Sequence, residues 1–258
     1  MFSLEGKVAL ITGASKGIGE AIARAYTTAG AKVVINSRKQ EAVEAVAQAI
    51  NTVQRTPFSG EGGQAIGVAG QVGNPADCQR LINETIQAFG RLDILVNNAA
   101  TNPVFAPLEN TDERAFDKIM DVNVKAPFVL AKLCLPYMEK NGGGSIINIS
   151  SVEGITPGFG LGIYSVSKAA LIQLTKAMAA EWGKINVRVN AICPGLIQTK
   201  FSEALWKNDH IMKHALEKIP LHRMGQPEEM AGFALFLASD ASSYCTGGIY
   251  AADGGYLI

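Results

Sequence analysis

The sequence predicts an α/β fold, a doubly wound parallel sheet with helices on both faces, in a single domain over residues 1–258. Three observations carry this. A short apolar, β-branched run from Lys7 to Thr12 ends in the glycine-rich turn Gly13-Ala14-Ser15-Lys16-Gly17-Ile18-Gly19, and helical spacing follows from Glu20 to Gly30. Strand-length apolar runs then alternate with helix-spaced segments to the end of the chain. At 48% apolar residues the composition supplies a sizeable core, and no linker divides the chain.

In order, a strand from Ala31 to Ser37 precedes a helix from Glu41 to Gln54 and the breaker-rich loop Arg55 to Gly63. A strand over Gln64 to Gly70, a helix over Pro75 to Phe89 and a strand over Leu92 to Asn97 repeat the unit. After Asn97-Asn98-Ala99-Ala100, Thr111 reads as the cap of a long helix from Glu113 to Lys140, where Pro127 and Pro136 predict a bend or a break. Gly142-Gly143-Gly144 opens a strand from Ser145 to Ser150, and a loop from Gly154 to Gly162 leads into an alanine-rich helix ending near Trp182. A strand from Asn186 to Cys193, a helix from Pro227 to Ala238 and a strand from Gly247 to Ala252 complete the sheet. Between them, residues 195–225 are helical by spacing and carry Phe201, Leu205, Trp206, Ile211, Met212, Ile219 and Leu221. So much apolar surface inserted after a strand reads as a lid over a substrate.

Lysine plus arginine equals aspartate plus glutamate at 23 each, so charge gives no reason to expect nucleic acid or an anionic membrane as partner. No apolar run approaches the ~18 residues of a membrane span, and the start lacks the layout of a secretion signal. The expectation is a cytoplasmic protein. The four cysteines are far apart with no C-x-x-C spacing, and His210 and His214 share a helix face without a third ligand, so no metal is expected.

The chemistry starts from the glycine turn. Glycines at 13, 17 and 19 remove side chains where a backbone must approach a pyrophosphate, and the helix start offers free N–H groups and a positive dipole end. A doubly wound domain that binds NAD carries an acid at the end of its second strand. Here that end reads Asn36-Ser37-Arg38-Lys39, with no carboxylate. Arg38 and Lys16 suit the 2′-phosphate of NADP(H), although both also read as ordinary solvated charges. Tyr164 and Lys168 stand four apart on a helix, so they share a face. Lowering a phenol pKa by roughly three units takes about 4 kcal/mol, which a neighbouring cation in a water-poor site, helped by a positive cofactor ring, can supply. Alone, the pair equally describes an exposed surface contact. Ser151 lies where a parallel strand runs out, at the side of the sheet that faces the ligand crevice.

Taken together, Thr12-Gly13-x-x-x-Gly17-x-Gly19, Asn97-Asn98-Ala99, Asn123, Ser151, Tyr164-x-x-x-Lys168, Asn190 and Pro194-Gly195 resemble the short-chain dehydrogenase/reductases over essentially the whole chain. The resemblance implies a Rossmann fold and a catalytic set of Asn123, Ser151, Tyr164 and Lys168. Tyr164 would donate a proton to a carbonyl oxygen that Ser151 holds. Lys168 would lower the tyrosine pKa and bind the nicotinamide ribose, while Asn123 would hold a water linking Lys168 to solvent. It also implies dinucleotide contacts from Gly13, Ser15, Lys16, Gly17, Ile18, Gly19, Ser37, Arg38, Gln71, Val72, Asn98, Ala99, Tyr164, Lys168, Pro194, Gly195, Ile197 and Thr199. Two departures are Ala100, where the family has glycine, and Gln71, where it commonly has an aspartate against the adenine.

Ser37 to Gln40, Asn98 to Pro103 and Pro194 to Trp206 look like the NADP-dependent carbonyl and retinal reductases of the peroxisomal dehydrogenase/reductase group, though the ending Tyr256-Leu257-Ile258 is not a Ser-Lys-Leu address. The expectation is an NADP(H)-dependent reductase of small ketones or aldehydes, in a homotetramer. The alternatives are a 3-oxoacyl-thioester reductase and an inactive NADP-binding sensor or scaffold.

Overall fold

A computed structural model describes residues 2–52, 63–207 and 209–258, without the side chains of Ala204 and residues 209–211. The expected loop at 55–62, the packing of Ile211 and the side chain of His210 lie outside the described residues.

Seven parallel strands form one sheet in the order β3-β2-β1-β4-β5-β6-β7: β1 Val8–Ile11, β2 Lys32–Ser37, β3 Gln64–Ala69, β4 Ile94–Asn97, β5 Gly144–Ile149, β6 Val187–Pro194 and β7 Ile249–Ala252. The central strands are apolar on both faces because helices cover both, and every residue of β1 and β4 is buried. On one face α1 (Gly17–Thr28), α2 (Gln40–Thr52) and α9 (Pro227–Ala238) supply Ile22, Tyr26, Val43, Met230 and Ala234 to one core. On the other, α3 (Pro75–Phe89), α5 (Ala126–Lys140) and α6 (Gly162–Trp182) supply Leu81, Leu130, Cys134 and Met178 to a second. Strand order reverses between β1 and β4, and a crevice opens past the carboxyl ends of the strands at such a switch point.

Two expectations are corrected. Asp112, not Thr111, caps α4 (Glu113–Met120): its carboxylate accepts the Ala115 N–H at 2.7 Å, three residues on, a reach that Thr111 lacks. The long helix neither breaks nor stops at its prolines. It passes from α4 through a π-helical turn, Asp121–Lys125, directly into α5, which runs on past Pro136. The π turn sits just before Pro127, whose ring nitrogen has no hydrogen to give the Asn123 carbonyl four residues back.

Residues 195–225 leave β6, cross a single parallel bridge between Ile197 and Gly225, and contain two short helices, α7 (Glu203–Trp206) and α8 (Asp209–Glu217). No described helix is long and apolar enough to cross a membrane.

Candidate active site

The glycine turn joins β1 to α1 at the switch point. Gly13 has φ +64°, and a Cβ on it would stand 2.8 Å from the Cα of Ala99. On Gly19 a Cβ would stand 2.5 Å from the Asn98 amide nitrogen and 2.8 Å from the Cα of Ala14. No side chain fits at either position, so the turn presents bare backbone. Thr12 and Asn98 fix it: the Asn98 amide donates to the carbonyls of Thr12 (2.9 Å) and Gly13 (3.0 Å), and the Thr12 hydroxyl accepts from the N–H groups of Asn98 (3.0 Å) and Ala99 (3.1 Å). At the start of α1 no side chain caps the N-terminus, which leaves the first N–H groups and the positive dipole end to a ligand. A bare turn and an uncapped helix together fit a dinucleotide pyrophosphate. Half-buried Ser15 and partly buried Ile18 flank exposed Lys16.

The Ala14 N–H donates to the Asn36 carbonyl (2.8 Å), which sets the turn beside the end of β2 and its half-buried Ser37 and exposed Arg38. Neither Lys16 nor Arg38 is in an ion pair among the described residues. Beyond β3, exposed Gln71 is tethered by its N–H to the Asp77 carboxylate (2.8 Å), which with Arg80 holds that carboxyl below its ordinary range; Val72 beside it is buried. At the far side, Thr199 reaches over the turn, with its methyl 3.3 Å from where a Cβ on Gly17 would be. Pro194 and Ile197 are buried, and Gly195 lies so close to Asp253 that a Cβ would approach its Cα to 2.7 Å.

Ser151, Tyr164 and Lys168 converge past the ends of β5 and β6, and all three are buried. Ser151 follows β5 and accepts the Glu153 N–H at its hydroxyl oxygen (3.1 Å), which leaves its own proton to donate. Lys168 donates to the Ile149 carbonyl at 2.8 Å, with its ammonium 5.6 Å from the Tyr164 ring centre. Phe201 covers the tyrosine, its ring centre 6.0 Å away. Asn123 is 1% exposed, and its amide is fully engaged: it donates to the Thr101 carbonyl (3.0 Å) and the Ser167 hydroxyl (3.0 Å) and accepts the Thr101 N–H (2.9 Å).

Burial raises the Tyr164 pKa above the ordinary phenol value; the Ser151 hydroxyl opposes this, and the negative charge of Glu153 adds to it. Burial in turn lowers Lys168 to about 8.

The family model described as Enoyl-(Acyl carrier protein) reductase matches residues 13–257. Dehydrogenase/reductase SDR family member 4 of Oryctolagus cuniculus is 43% identical over 252 residues, covering 98% of this chain and 94% of that protein. The chain belongs to the short-chain dehydrogenase/reductase family. As members of this family are oxidoreductases, so is this protein. Among solved structures, a gluconate 5-dehydrogenase from Burkholderia cenocepacia J2315 in complex with NADP and tartrate is 33% identical at a TM-score of 0.92, over 99% of this chain and 96% of that one. A 7α-hydroxysteroid dehydrogenase complexed with NADH and 7-oxo glycochenodeoxycholic acid is 35% identical at a TM-score of 0.91, over 98% and 95%.

Several residues that build this short-chain dehydrogenase/reductase site escaped sequence reading. Asn148 accepts from the Asn97 amide of the Asn97-Asn98-Ala99 motif (2.9 Å) and donates to Thr175 (2.8 Å), and these bonds tie β4 to β5 and α6. Ser150 donates to the Lys168 carbonyl (2.9 Å). The available signal was an amide interrupting an apolar strand, as at Asn36, Asn97 and Asn148, since such a group is buried only when it has work as a tie. Glu153, Thr101 and Ser167 carried no such signal.

Proposed function

We propose that the protein is an NADPH-dependent reductase of ketones and aldehydes, reversible as a secondary-alcohol dehydrogenase. The observation that carries it is the meeting of two hydroxyls, Ser151 and Tyr164, above buried Lys168 and under Phe201, on the same side of the sheet as the bare glycine turn. When bound, the dinucleotide supplies hydride to the carbonyl carbon. Tyr164 gives its proton to the carbonyl oxygen, and Ser151 donates a second hydrogen bond to the same oxygen. Lys168, with its pKa near 8, is charged at neutral pH and stabilises the phenolate left behind. The Asn123 carbonyl, which Pro127 cannot serve, is the acceptor for a water leading to Lys168, while the Asn123 side chain fixes the loop after β4. Lys16 and Arg38 hold the 2′-phosphate, and residues 195–225 close over the substrate as a lid. Family precedent supports a homotetramer.

The set Asn123, Ser151, Tyr164 and Lys168 is complete, which speaks against a sensor that has lost activity. A 3-oxoacyl-thioester reductase would gain from basic residues on the lid to dock an acidic carrier protein. Here Lys200 and Lys207 both pair with Glu203, and Arg223 forms two bonds to Glu229 (2.7 and 2.8 Å). The test is NADPH consumption with a panel of aryl and alkyl ketones beside an acetoacetyl thioester. Faster turnover of the ketones is expected; a thioester preferred over every ketone would overturn the reading.

A further inference from the structure

Glu153, half-buried after β5, is neither in the glycine turn nor in the expected catalytic set, yet three bonds tie the site to it. Its own N–H donates to the Ser151 hydroxyl oxygen (3.1 Å). Its carboxylate accepts the Gly158 N–H (2.6 Å) and the hydroxyl proton of buried Ser165 (2.9 Å). Ser165 is the residue after Tyr164, in the first turn of α6. Residue 158 is held against the carboxylate so closely that a Cβ there would stand 2.7 Å from one of its oxygens.

We propose that Glu153 is the positioning residue of this active site, its carboxylate clamping the turn that carries Ser151, the loop 155–161 and the first turn of the Tyr164 helix to one another. The clamp fixes the two hydroxyls relative to each other before any substrate arrives. It also places a negative charge beside the phenol. The ionisable groups facing Tyr164 are Lys168 of its own helix, Glu153 of the turn after β5 and Cys193 of β6, whose thiol is itself raised by burial. Burial is the main cause of the raised Tyr164 pKa, and the Glu153 carboxylate adds to it.

This inference deepens the carbonyl-reductase reading and rests on it. The experiment compares wild type with Glu153→Gln, Glu153→Asp and Ser165→Ala by the pH profile of kcat/KM for NADPH-dependent ketone reduction, and by titration of the tyrosine ζ-carbon resonance in the NADP+ complex, assigned with Tyr164→Phe. Glu153→Gln keeps an accepting oxygen and loses the charge, so both the alkaline limb and the resonance move to lower pH by about half a unit to one unit. Glu153→Asp and Ser165→Ala keep a charge and loosen the clamp, so kcat falls about 3- to 30-fold with KM and the alkaline limb nearly unchanged. An unmoved limb and resonance in Glu153→Gln, with only thermal stability reduced, overturns the proposal, as does an unaltered kcat in Ser165→Ala. Should wild type reduce no carbonyl compound, the functional reading fails while the resonance still decides the role of Glu153.

Discussion

The glycine turn meets the segment that follows β6 at Thr199, whose methyl lies 3.3 Å from where a Cβ on Gly17 would be, and the two are held in place by different means. In the turn, position is set by contact between backbones: Gly13 and Gly19 leave no room for a methyl group, and Asn98 and Thr12 bind main-chain atoms on both sides. The segment after β6 is held by a few main-chain bonds, among them the Ile197–Gly225 bridge and the Leu221 N–H to the Gly254 carbonyl (3.2 Å), and by side chains. Trp206 donates its indole N–H to the Thr199 carbonyl (2.9 Å), the Ser202 hydroxyl lies against the backbone of Ile197 and Thr199, and Phe201 and Leu221 stand more than half exposed at 56% and 61%.

Tyr164 lies where the two regions meet, and its substitution separates chemistry from binding. Tyr164→Phe is expected to lower kcat by about 10²- to 10⁴-fold while NADPH affinity, read by nucleotide fluorescence, changes only a few-fold. Near-wild-type turnover would remove the proton donor from the mechanism. On the rigid side, Gly19→Ala forces a methyl group against the backbone of Gly13 and Ala14 at 2.8 Å, which overpacking costs about 1–3 kcal/mol. A lowered Tm and NADPH affinity weakened about tenfold or more are expected; an unaffected affinity would mean that the turn yields to the added methyl group. Arg38→Ala tests the rim of the same turn. Loss of a charge-assisted contact of about 1.5–3 kcal/mol predicts a fall of about 10- to 100-fold in the NADPH over NADH ratio of kcat/KM, with Tm unchanged because the side chain is exposed. Equal use of both cofactors by wild type would refute the assignment outright. Smallest is Phe201→Ala on the lid: an aromatic contact of about 0.5–1.5 kcal/mol predicts KM for an aryl ketone raised about 2- to 10-fold, with kcat and Tm near wild type.

The same contrast separates what could be read in advance. Local order was legible wherever one residue type admits one backbone: the strand, glycine turn and helix at 7–30, and the helix of Tyr164 and Lys168. The start of α4 at Glu113 is as expected, but its cap is Asp112 rather than Thr111, since only the helix register shows which side-chain oxygen meets the third N–H. The prolines were seen, but whether the helix would break or absorb them as a π turn depended on what packs around it.

By itself the sequence determined the alternation of strands and helices, the bare backbone at Gly13 and Gly19, and the presence of a phenol and an amine on one helix face, because each follows from residue type and spacing within a few positions. Only the tertiary structure decided that Asn123 spends its amide on Thr101 and Ser167, that Glu153 grips Gly158 and Ser165, and that Tyr164 is buried beside Ser151 and Glu153. These outcomes depend on burial and on partners up to 44 residues away. The free energy of a buried charge or amide is fixed by what surrounds it in space, and neighbours along the chain do not specify that.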